Sequence, residues 1–313
     1  MTPNPNMREA YGLALLELGK ANRDVVALEA DLGKSTRSVL FQEAFPDRYF
    51  QMGIAEQNMA ATAAGLALVG KIPFIHSFAV FAAGRAFDQL RNAICIPKLK
   101  VRICGSSCGL SDFGDGKTHQ SVEDVAIMRS LPGMAVLCPM DSIETVKMME
   151  CLIDWPGPVY IRINRSNLPF LYPVPEPYYI GKLTKLRDGS DVALLAAGVM
   201  VSRSLQAAGL LADQGVSSRV LNVSTIKPLN REALIEAVAG TRAIVVSEEH
   251  NIVGGLGGAV LEALRAVPHA PVEFVGIEDC FGMSASCYDE ILVRFGLTAS
   301  AIAGAAMDLL RKN

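Results

Sequence analysis

Short Val/Ile-rich runs alternate along the chain with longer stretches whose apolar residues recur at helical spacing, the mark of βαβ units and a parallel sheet. In the first part, strands are predicted over 25–28, 48–52, 72–75, 100–104, 134–138 and 159–163, and helices near 7–18, 38–44, 56–68, 84–95, 122–130 and 143–153. The stretch 169–177 (PFLYPVPEP) holds four Pro. Proline can continue neither a helix nor a central strand, so this reads as a linker. A shorter series follows, with strands over 192–196, 218–223, 243–247 and 272–276. The expectation is an α/β chain of two domains, 1–180 and a smaller 181–313, the first built on a parallel sheet.

Composition sharpens the function class. The chain has 313 residues, half of them apolar, with 29 Lys+Arg against 32 Asp+Glu and a net charge of −3. With no basic run to neutralise phosphates, it is not expected to bind nucleic acid. A mean hydropathy of +0.29 raises the question of a membrane. The most apolar region, 57–84, is split at Lys71-Ile72-Pro73 and carries His76, so neither half reaches the roughly 20 apolar residues of a span. Parallel strands covered on both faces account for the hydropathy instead. The start MTPNPNMREAYG has no apolar export segment, which makes the cytoplasm the expected location. Seven Cys without a CxxC pair, most of them in apolar runs, read as buried free thiols.

In an open parallel sheet, ligands bind beyond the carboxyl ends of the strands. Glu29, Asp31 and Ser35 follow the first predicted strand, Gly53 and Glu56 the second, and His76, Phe78 and Phe81 the third. Asp115 and His119 lie in the Gly-rich loop after the fourth, and Arg165 follows the sixth. Any one of these carboxylates is readily explained as a helix cap. The set is not. Glu56 opens an almost wholly apolar helix, so it either faces a buried crevice, where burial would raise its pKa, or complements the helix dipole; composition leaves the two even.

FQMGIAEQN (50–58), FAVFAAG (78–84), GDGKTHQSVED (114–124) and NRSNLP (164–169), with SEEHNIVGGLGGAV (247–260), occur in one order and together resemble the pyrimidine-binding and C-terminal portions of thiamine-diphosphate transketolases. The resemblance implies that Glu56 bonds N1′ of the cofactor's aminopyrimidine and that Phe78 and Phe81 stack on that ring, with Asp31 nearby. It implies that Asp115 and His119 contact substrate hydroxyls, His119 as a proton-transfer or hydrogen-bonding group. It assigns Arg8, Ser35 and Arg165 to a sugar-phosphate clamp, a task that suits the planar guanidinium fork. Ser107 stands where the family usually has a further phosphate-contacting His, Ile75 where it has an aromatic, and Lys117 interrupts its Gly-Pro-Thr-His run.

Mg²⁺ holding a diphosphate needs oxygen ligands, which the family supplies as Gly-Asp-Gly with a downstream Asn. Gly114-Asp115-Gly116 imitates the first half, but no Asn occurs between Gly116 and Asn164. GGLGGAV (254–260) departs from a dinucleotide loop at Val260 and reads as a close approach of helix to sheet. The resemblance therefore implies half a cofactor site: the small subunit of a split transketolase. Mg²⁺ and the diphosphate would belong to an N-terminal partner subunit in an α2β2 assembly acting on sugar phosphates. The alternatives are a subunit of another thiamine enzyme, such as a 2-oxo acid dehydrogenase E1 β chain or a deoxyxylulose-phosphate synthase relative, and a non-catalytic structural paralogue.

Overall fold

The computed structural model describes residues 6–171 and 178–312. Among them the strands are β1 (Val25–Glu29), β2 (Tyr49–Gln51), β3 (Ile72–Phe78), β4 (Arg102–Ser106), β5 (Ala135–Leu137), β6 (Val159–Ile163), β7 (Thr184–Arg187), β8 (Val192–Ala196), β9 (Ser218–Asn222), β10 (Thr225–Lys227), β11 (Ala243–Asn251) and β12 (Val272–Ile277). β1, β3, β4 and β6 are buried at every position, as strands covered by helices on both faces must be. They lie in a seven-stranded sheet of order β10-β5-β6-β4-β3-β1-β2. The second sheet, of order β12-β11-β8-β9-β7, is parallel except for its edge strand β7.

Two strands were not expected. β7 and β10 are short and mostly polar, so nothing in their own sequence marks them; their pairing partners make them strands. β10 belongs by sequence to the second domain but pairs antiparallel with β5, Thr225 opposite Leu137, and completes the first sheet. The linker predicted at 169–177 lies mostly outside the described residues. The helix predicted over 84–95 is a broken run instead, with wide π turns at Phe81–Arg85 and Leu90–Cys95 around a short α segment, Phe87–Gln89. Such turns recur at functional sites.

The third strand also runs longer than predicted, and this corrects the placing of His76. It sits inside β3, fully buried, between the Tyr11 hydroxyl (2.9 Å) and the Leu28 carbonyl (3.0 Å). Burial pushes its pKa down to about 4, so it is a neutral core histidine rather than a crevice residue. Four cysteines are buried, but Cys280 and Cys287 are exposed.

The glycine run at 254–258 approaches its sheet closely. A Cβ on Gly257 would stand 2.7 Å from the Phe274 ring of β12. Glu248 accepts hydrogen bonds from Leu256 N (2.6 Å) and Gly257 N (2.9 Å), so the chain's own carboxylate occupies that helix start. The stretch 288–312 is long and apolar enough by composition to cross a membrane. It folds as two separate helices, Tyr288–Arg294 and Ala299–Lys312, around Gly296 at φ 69°. Neither has the length of a span.

Candidate active site

Chain order reverses in the first sheet between β1 and β3: β2 lies on one side of β1 and β3 on the other. This is the switch point at which an open sheet leaves a crevice. Glu29, at the end of β1, builds one wall of it. Its Oε1 accepts from Ala30 N and Leu32 N (both 3.0 Å), and its Oε2 accepts from Thr36 Oγ1 (2.8 Å) and Ser38 Oγ (2.6 Å). Burial nevertheless pushes its pKa up to about 7, against those hydrogen bonds. The loop so held carries Asp31, in the left-handed region at φ 65°, and Ser35. Asp31 N donates to Gln51 Oε1 (3.1 Å). No hydrogen bond or ion pair among the described residues joins Asp31 to Glu56 or His119.

Glu56 opens the helix Glu56–Leu68, whose Met59, Ala60, Ala63 and Ala64 pack into the core and fix its orientation. The carboxylate is 1% exposed, so the buried reading holds over that of a solvated first-turn Glu. It accepts from Ser77 Oγ (3.3 Å) and from Arg85 Nη1 (2.7 Å). Arg85 also lies over the Phe81 ring, 4.5 Å from its centroid. Phe78 ends β3 and Phe81 starts the π turn, and their rings stack at 6.2 Å with planes 15° apart. His119, from the loop after β4, meets both edge-on, at 6.2 Å and 5.5 Å. Its Nδ1 is hydrogen-bonded with Thr118 Oγ1 (3.0 Å). The structure thus brings Glu56, Phe78, Phe81 and His119 together and adds Arg85.

A second group forms beside it. Asn6 caps the helix Met7–Ala21 through Arg8 N and Glu9 N, and its amide donates to the Arg165 carbonyl (3.3 Å), which ties Arg8 to Arg165. Arg8 Nη1 donates to the Ser35 carbonyl (3.0 Å), so Ser35 contributes its backbone here. Burial first, then the charge of Arg165, holds the Arg8 guanidinium below its ordinary pKa. Arg165 Nη1 bonds Asp112 Oδ1 at 2.7 Å and lies 3.9 Å from Asp115 Oδ2. Asp115 is exposed, whereas Asp112 is buried.

The C-terminal domain holds the loop that carries His119. Glu249 Oε1 accepts from Leu110 N (2.8 Å), Gln120 Nε2 donates to the Met283 carbonyl (3.0 Å), and Ala285 N donates to the Phe113 carbonyl (2.9 Å). Behind it, Arg162 of β6 pairs with Asp124 (2.9 Å), whose Oδ2 also accepts from Tyr160 (2.7 Å), and donates to the Glu249 carbonyl (2.9 Å). Arg162 and Asp124 are 4% and 0% exposed.

Burial raises Glu29, Glu144 and Glu249 to about 7 each. A raised carboxyl pKa means the folded state binds protons that the unfolded chain has released. That stability is complete below the unfolded pKa near 4.5 and is lost as pH climbs through 7. His76 works oppositely between 6.5 and 4. Three carboxyls against one imidazole leave about two protons taken up on folding near pH 6. Thermal melts should therefore show the midpoint rising from pH 8 to about pH 6, and Glu249→Gln should remove about one proton from that dependence. A midpoint that falls over this interval would contradict it.

Sequence reasoning did not find Arg85, Asp112 or Glu249. Arg85 and Asp112 each lie within a few residues of a quoted motif, but nothing in residue type separates them from surface charges. Two stacked rings beside a buried carboxylate suit a flat heteroaromatic ring with a protonated nitrogen, so these residues fit the aminopyrimidine end of thiamine diphosphate. Among the described residues, no three of His, Cys, Asp and Glu converge as a metal-holding group.

Two α/β domains, with a polar crevice at the switch point of the first sheet and one domain clamping the other's loop, place the chain in the doubly wound class of folds. The chain belongs to the transketolase family. The family described as "Transketolase, pyrimidine binding domain" matches residues 4–170, and "Transketolase, C-terminal domain" matches 181–302. A 6-deoxy-6-sulfo-D-fructose transketolase subunit of Clostridium sp. (strain MSTE9) is 40% identical over 308 residues, covering 98% of this chain and 95% of that protein. One of the apulose-4-phosphate transketolase subunits of Phocaeicola vulgatus is 35% identical over 306 residues, covering 97% of each. A solved split-gene transketolase, in an inactive β4 tetramer, superposes with a TM-score of 0.88 at 44% identity, covering 97% of this chain and 98% of that one.

Proposed function

We propose that the chain is the pyrimidine-binding and C-terminal subunit of a two-subunit transketolase that moves a two-carbon ketol unit from a ketose to an aldose. The observation that carries this reading is the buried Glu56 carboxylate set beside Phe78, Phe81 and His119 at the switch point. Thiamine diphosphate, when bound, supplies a carbanion-forming carbon and an electron sink for breaking and making the sugar's carbon–carbon bond. Glu56 holds a proton at the pyrimidine N1′, and Phe78 and Phe81 pack the ring and keep water from the carboxylate. His119, steadied through Nδ1 by Thr118, moves a proton at Nε2 to or from a sugar hydroxyl, and Asp115 accepts a hydrogen bond from a neighbouring hydroxyl. Mg²⁺ and the diphosphate fall to a second subunit, in an α2β2 enzyme of the cytoplasm. The relatives named as transketolase subunits, and the β4 form described as inactive, support partner dependence.

The test is reconstitution with the diphosphate-binding subunit from the same source, measuring ketol transfer from several ketoses beside pyruvate decarboxylation. Ketol transfer is expected only with both subunits. Mg²⁺-dependent turnover by this chain alone would overturn partner dependence, and pyruvate decarboxylation without ketol transfer would overturn the reaction class.

A further inference from the structure

The two arginines of the clamp do not both keep their charge available. Arg8 and Arg165 are close enough for each to repel the other, an arrangement that favours an anion between them. Yet Arg165 already spends its Nη1 on Asp112 Oδ1, at 2.7 Å, and Asp112 is 1% exposed. Asp112 Oδ2 is buried and meets no donor, and Arg8 Nε is likewise buried without a partner. Asp115 adds a second, solvated carboxylate 3.9 Å from Arg165. Two cations and one buried carboxylate leave one unit of positive charge, further reduced by Asp115. A phosphate dianion would meet the Asp112 carboxylate, itself shielded from water, at close range.

We propose that Asp112 is a specificity-determining residue that sets this clamp against a phosphate dianion, so that the sugar handled here ends in a group bearing at most one negative charge. The proposal rests on the ketol-transfer reading for its substrate. The geometry of Arg8, Arg165 and Asp112 stands independently of that reading. Burial is the main cause that raises the Asp112 pKa, with Arg165 opposing it and Asp115 adding to it.

The test has two arms. In the first, inorganic phosphate and methanesulfonate are titrated calorimetrically into the whole chain and into Asp112→Asn, which keeps a hydrogen-bonding side chain of the same size. Phosphate should bind the variant about tenfold or more tighter than the wild type, as expected from removing one charge at contact, while methanesulfonate changes less. In the second, the reconstituted enzyme is assayed with a phosphorylated, a sulfonated and an unphosphorylated ketose. The wild type should favour the latter two, and Asp112→Asn should lower KM for the phosphorylated donor with a smaller change in kcat. Asp112→Ser serves as a second variant should Asn fold poorly. Equal phosphate affinity in wild type and variants, or an unchanged donor ratio, would overturn the proposal. Failure to turn over any ketose would count against the ketol-transfer reading alone, because the binding arm still decides the role of Asp112.

Discussion

Glu56→Gln should lower ketol transfer by the reconstituted enzyme about 10²–10⁴-fold, the usual range for removing a proton-transfer group, without unfolding the chain. Gln keeps the length of the side chain and can still meet the Ser77 hydroxyl at 3.3 Å. What it cannot do is carry the negative charge or hold a proton at a ring nitrogen. The lost pair with Arg85 should weigh little on stability, because that guanidinium is 43% exposed and returns to water. Deuterium exchange at the cofactor's C2 position, followed by NMR, isolates the step from sugar binding. Exchange as fast as in the wild type would remove Glu56 from the mechanism.

The largest stability effect is expected at Arg162. Replacing it by Met strands the Asp124 carboxylate, fully buried, with the Tyr160 hydroxyl (2.7 Å) as its remaining side-chain donor. Breaking a buried pair from one side costs about 3–5 kcal/mol. The Glu249 carbonyl loses its donor as well, so the contact between the domains loosens at the loop bearing His119. Urea denaturation should show a much lower midpoint, and adding Asp124→Leu to Arg162→Met should recover part of it, since an apolar pair leaves no uncompensated charge. A loss below about 1 kcal/mol would mean that water reaches this pair.

The long buried strands and the helix Glu56–Leu68 could be read from the chain because their signals are local. Between Gly53 and Gly70 the buried positions Met59, Ala60, Ala63 and Ala64 recur at helical spacing, and Glu56 lies on that same inward face, while Ile54, Leu68 and Val69 stay exposed. β10 could not be read this way, since Thr225-Ile226-Lys227 becomes a strand through a partner far earlier in the chain, around Leu137. His76 was misplaced because β3 runs on to Phe78, and a strand's end depends on its neighbours' lengths as much as on its own residues. At the site, the motif residues Glu56, Phe78, Phe81 and His119 were legible through resemblance. Arg85 and Asp112, which set the charge around them, were not, because an ion pair is a property of two distant segments brought together.

The pairing of β10 with β5 bears on how such a protein can be recombined. A crossover with a relative placed at the proline-rich stretch 169–177 would part β5 from the edge strand that covers it, and the chimaera would have to seat a foreign Thr225–Lys227 segment on its own Ala135–Leu137. An uncovered sheet edge is a template for association with other chains. The two domains therefore form one unit of exchange, and a swap of sugar specificity between relatives is better made inside the loops of the crevice than at the boundary that the sequence advertises.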